Sequence, residues 1–79
     1  MQVAERVDVM LSTLNATEVG TLDSVAEKLG HVRDELLALE QPELAQRAGA
    51  TIDALRRGDV AEFKRGRAFL QAKIGHLRR

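Results

Sequence analysis

The chain has 79 residues, no cysteine, 44% apolar residues and a formal net charge of zero. A chain of this size buries only about 60% of the surface its unfolded form exposes. Lacking cysteine, it has neither disulfides nor thiolate metal sites to add stability, which leaves regular helix packing or a partner chain.

No apolar run approaches the roughly 18 residues that a bilayer span needs. The N-terminus also has no basic stretch ahead of an apolar block. We therefore expect a single helical domain over residues 1–79 in the cytoplasm, with the Asn15-Ala16-Thr17 sequon unused.

Taken in chain order, the apolar spacing is helical almost throughout. Val3, Val7, Met10 and Leu14 recur at intervals of four, three and four, which puts one apolar face on a first helix near 2–17. Gly20 and Thr21 then stand in the order of a stop and an N-cap, although Asn15 and Thr17 offer an earlier stop and start. Leu22, Val25, Leu29, Val32, Leu36 and Leu39 predict a second helix near 22–40. Pro42 fits the first turn of a third, near 42–57, which carries Ala45, Ala48, Ile52 and Leu55.

Gly58 reads as the glycine that ends that helix and Asp59 as the next N-cap, with Glu62 at the spacing of a capping box. A fourth helix near 60–77 carries Val60, Phe63, Leu70, Ile74 and Leu77, with Arg67 where an apolar residue is due. On the core stripe, Arg67 either extends its charge past the seam edge or pairs with an acid on another helix and selects the register.

The period-two alternation of half-buried strands is absent, and connections this short make successive helices antiparallel. The expected fold is all-α: a small antiparallel four-helix bundle, or a pair of helical hairpins completed by dimerisation. Leu22, Val25, Leu29, Val32, Leu36, Phe63, Leu70, Ile74 and Leu77 are the expected core. Val9, Leu11, Leu37 and Phe69 lie off the stripes and either widen a seam or meet another chain.

Both histidines sit in related hexapeptides, KLGHVR at 28–33 and KIGHLR at 73–78. With Leu22 and Val60 each at heptad position a, the two hexapeptides take the same letters, g to e. Each then has two core aliphatics, a basic residue on either flank and Gly-His outside. Helix packing alone accounts for the match. Glu27, His31 and Glu35 have the i, i+4, i+8 spacing of metal ligands, but the outward letters of Glu27 and His31 describe a solvated face, and no metal or cofactor is expected.

Charge is unevenly spread. Residues 1–55 carry four basic and ten acidic side chains, a net −6, and residues 56–79 carry eight basic and two acidic, a net +6. The basic end either packs against the acidic part or faces an anionic partner through Lys64, Arg65, Arg67, Lys73, Arg78 and Arg79.

The stretch TLDSVAEKLGHVRDELLAL (21–39) resembles a helix-turn-helix, with Ala26 and Gly30 four apart and Val25, Leu29, Val32 and Leu36 internal. That resemblance implies DNA binding, although Asp34 and Glu35 would meet phosphates near the start of its second helix. There is no cysteine nucleophile, no recognisable Ser-His-acid arrangement and no phosphate loop, so an enzyme is not expected.

The primary expectation is a non-enzymatic protein–protein interaction module, a homodimer or a partner-docking protein. The alternative is a small DNA- or RNA-binding regulator using 21–39 or the basic helix 60–79. In a parallel self-pair, the second helix would set Lys28 against Arg33 and Glu35 against Glu40, so any homodimer is expected to pair it antiparallel or not at all.

Overall fold

The computed structural model describes residues 3–16 and 20–77, which form four helices: α1 (Val3–Asn15), α2 (Leu22–Ala38), α3 (Pro42–Arg57) and α4 (Val60–His76). No strand occurs among the described residues. The helix ends fall within two residues of those read from the apolar spacing. Residues 2 and 17, expected at the ends of the first helix, lie outside the described residues.

Local chemistry sets the boundaries. Gly20 takes φ 123° and Thr21 caps α2, its hydroxyl accepting from the Ser24 N–H at 3.1 Å. The Asp59 carboxylate caps α4 in the same way, accepting from the Glu62 N–H at 3.1 Å. The expected capping box is only half formed. Glu62 turns instead to Arg65, at 2.7 Å, because the Asp59 N–H already donates to Ala54 O at 2.9 Å in closing α3.

The ends of α2 and α3 use one hydrogen-bond pattern. Gln41 N–H donates to Leu36 O at 2.8 Å and Glu40 N–H to Leu37 O at 3.1 Å; Asp59 and Gly58 repeat this with Ala54 and Leu55 at 2.9 and 3.1 Å. The pattern requires one residue in the left-handed region. At the end of α3 that residue is Gly58, φ 78°, but at the end of α2 it is Glu40, φ 59°, whose Cβ crowds the neighbouring carbonyl. Pro42 then opens α3 at its first turn.

The helices form a closed ring. α1 neighbours α2 and α4, α3 neighbours α2 and α4, and no backbone approach within 8 Å runs across the diagonals among the described residues. The four helices of the chain form one compact all-helical body. Its radius of gyration is 11.5 Å, against about 11.6 Å expected for a compact domain of this length. No helix among the described residues is long and apolar enough to cross a membrane.

The core takes Val7, Met10 and Leu14 from α1, Val25, Leu29, Val32 and Leu36 from α2, and Leu70 and Ile74 from α4. Phe63 and Leu77 pack against it half-buried, and so does Leu11. Leu22 departs from expectation: it is 47% exposed, because it is the first residue of α2 and the apolar stripe there runs past the end of the neighbouring helices. Val60, first in α4, is exposed for the same reason.

α3 supplies mostly small buried groups, Ala45, Ala48, Thr51 and Ala54, with Ile52 as its one large core residue. Helices whose contact faces are small approach closely, and α3 makes the most extensive contacts, with α2 and α4. The tightest point is Gly66. A Cβ there would lie 2.2 Å from Thr51 Oγ1 and 3.1 Å from Thr51 Cβ. The Thr51 hydroxyl is itself held, donating to Arg47 O at 2.9 Å.

α1 is tied on more lightly. Its side-chain links include an Arg6–Glu35 ion pair to α2 at 2.6 Å and a Gln71–Asn15 hydrogen bond from α4 at 3.0 Å. Lys28 also donates to Ala16 O, just past its end, at 3.5 Å.

Two stability predictions follow from these contacts. Gly66→Ala should destabilise by about 1–2 kcal/mol, the overpacking outweighing the gain in helix propensity. Adding Thr51→Ala should recover part of the loss in a chemical-denaturation double-mutant cycle. Glu40→Gly should stabilise by about 1 kcal/mol, visible as a rise of several degrees in Tm, since glycine takes φ 59° without steric cost.

Candidate functional site

The ring of four helices places the expected basic residues around α4 and not on one face of it. Successive helical residues turn by about 100°, so Lys64 and Lys73, nine apart, project from opposite flanks. Lys64, Arg65 and Lys73 are exposed and Arg67 is half-buried, while Arg78 and Arg79 lie outside the described residues. Arg65 is engaged by Glu62 of its own helix. That hydrogen bond, and then the carboxylate's charge, raise the pKa of an already permanently charged group.

Segment 21–39 is one uninterrupted helix up to Ala38, passing through Gly30 without the turn that a helix-turn-helix requires. His31 and His76 are both exposed, as their heptad positions imply. Glu35 is drawn away to Arg6, and no group of three His, Asp or Glu side chains among the described residues is placed to share a metal.

Open hollows flank α3 on both sides, and one against each neighbour carries an exposed large apolar side chain. The groove between α2 and α3 has a volume of about 640 Å³ and is lined by Arg33 and Leu37 of α2 and by Ala45, Gly49, Ala50 and Asp53 of α3, among others. Leu37 is 53% exposed at this groove. Nothing lies within 4 Å of the position that a Cβ on Gly49 would take, so the groove is open above that glycine.

The second hollow, of about 620 Å³, lies between the first half of α3 and the end of α4 and is lined by Leu44, Arg47, Phe69, Lys73, His76 and Leu77, among others. Its centre is Phe69, 37% exposed, with two cations at its ring. Arg47 Cζ is 4.7 Å from the ring centroid and Lys73 Nζ is 5.7 Å from it. The α4 spacing from Phe69 to Lys73 is one helical turn, which brings those two together; Arg47 arrives across the interface from α3.

Lys73 was legible in the sequence as a candidate. Arg47 was not, because it lies in the acidic part of the chain and joins the cluster only through the α3–α4 packing. The chain matches no protein-family model, no curated protein and no solved structure.

The ring makes a measurable prediction. Phe69→Leu keeps an apolar side chain but removes the aromatic quadrupole, and it should cost about 0.5–1 kcal/mol more in the wild type than in an Arg47→Met/Lys73→Met background. Urea melts of the four proteins measure that coupling.

Proposed function

We propose that this chain is a non-enzymatic helical interaction module that self-associates as a homodimer through the groove between α2 and α3. The observation that carries this reading is the self-complementary character of the groove. It presents an apolar knob, Leu37, an open space over Gly49, and a cation and a carboxylate, Arg33 and Asp53, along its lining.

A two-fold axis parallel to the helices would lay α2 of each copy along α3 of the other. Leu37 would then lie against the first turns of α3 of the second copy, beside Ala45 and Gln46, and the long Arg33 side chain would reach along the groove towards Asp53 of the second copy, twice over. In this arrangement α2 runs antiparallel to the helix it touches and never lies beside its own counterpart. The like-charge contacts Lys28–Arg33 and Glu35–Glu40 are thereby avoided.

Nucleic-acid binding is the second reading. It rests on the net +6 of residues 56–79. Phosphate recognition works through cations gathered on one face, and the spread of Lys64, Arg65 and Lys73 around α4 gives it less support than the groove gives to self-association.

Sedimentation velocity tests the dimer. Wild type should sediment as a dimer, with Arg33→Glu and Asp53→Arg each raising the dissociation constant at least about tenfold. An equimolar mixture of the two variants should dimerise again, because both contacts of the mixed dimer then join opposite charges. A monomeric wild type, or a mixture that stays monomeric, would overturn the reading.

A further inference from the structure

The hollow between α3 and α4 brings two positive charges to one aromatic ring. Arg47 and Lys73 share the Phe69 ring at 4.7 and 5.7 Å, and neither has a carboxylate partner among the described residues. Glu43, one turn before Arg47 on α3, lines the same hollow and makes no ion pair with either. Cations gathered around one ring repel, and an anion in contact with both relieves that repulsion.

The surroundings favour the same kind of ligand. Gln41 provides no side-chain cap, so the first-turn N–H groups of α3, at the rim of the hollow, receive no acceptor from it. Leu44, Leu77 and the exposed part of Phe69 form apolar walls beside the charges.

We infer that this hollow is the docking site for an acidic segment of another protein, in which a carboxylate contacts both Arg47 and Lys73 and a neighbouring apolar side chain lies against Phe69, Leu44 and Leu77. A side-chain carboxylate suits the site better than a nucleic-acid backbone. The walls are apolar, Glu43 on the rim would repel a continuous run of phosphates, and Lys64 projects from the opposite flank of α4. Charge and apolar surface alternate here at the spacing of neighbouring side chains, which is the pattern of an amphipathic peptide. The site is on the other flank of α3 from the groove assigned to self-association, so each stands or falls separately.

Selection of a random displayed twelve-residue peptide library on the full chain tests this. The expected result is enrichment of peptides with Asp or Glu beside Leu, Met or Phe. Binding of a selected, synthesised peptide should weaken at least about tenfold in Lys73→Glu and in Arg47→Gln, with the helical circular-dichroism spectrum at 25 °C unchanged, and should weaken with salt. Arg33→Glu should bind that peptide as wild type does, whether or not the variant has lost its dimer. The inference is overturned if no peptide is enriched, or if enriched peptides bind Lys73→Glu and Arg47→Gln undiminished. It is also overturned if a generic DNA duplex displaces the peptide, which would assign the hollow to phosphate. Loss of the wild-type dimer in Lys73→Glu would assign it to a second copy and overturn the inference as well.

Discussion

The close approach of α3 to α4 at Thr51 and Gly66 is the constraint around which this bundle is arranged. With a Cβ at residue 66 only 2.2 Å from the Thr51 hydroxyl, no side chain fits there unless Thr51 or the helices shift. The small residues along α3 extend the same condition to both of its neighbours. A helix that sits this close to two others brings little bulk of its own to the core. Most of the large buried apolar side chains accordingly come from α1, α2 and α4, with Ile52 the exception from α3.

Close packing on the inside has a counterpart on the outside. The outer flanks of α3 are also short, with Gly49 and Ala50 on one side, and the surface sinks into a hollow on either side of the helix. The side chains that overhang the hollows come largely from the neighbours: Leu37 from α2, Phe69 and Lys73 from α4. Candidate recognition surfaces therefore arise from the same residues that make the interior tight. Changes to the inner face of α3 would reach both hollows by moving the helices that form their walls.

Much of the architecture was legible one dimension at a time. Apolar period located all four helices, and Gly58, Asp59, Thr21 and Pro42 marked their ends because each has a local chemical reason to be there. The stripe misjudged Leu22 since periodicity has no knowledge of where neighbouring helices stop. Glu40 was hidden for a different reason. Its left-handed backbone is imposed by the hydrogen bonds that join α2 to α3, and its side chain advertises none of that. Gly66, Thr51 and Arg47 are relations between helices, so the helical period of a single segment carries no trace of them. The basic quarter of the chain was visible as a count, but the rotation of α4 decides which of its cations can act together.

The light attachment of α1 has a dynamic consequence. Opening of a protein under native conditions begins where few buried contacts must be given up, and among the described residues α1 is the shortest helix and takes part in the less extensive contacts of the ring. Amide protons along Val7 to Leu14 should therefore exchange with solvent sooner than those between Ala48 and Leu55, although Val7, Met10 and Leu14 are as thoroughly enclosed as any side chain in the molecule. Enclosure at rest and resistance to opening are separate properties here, and the amphipathic helix nearest the N-terminus has the first without the second.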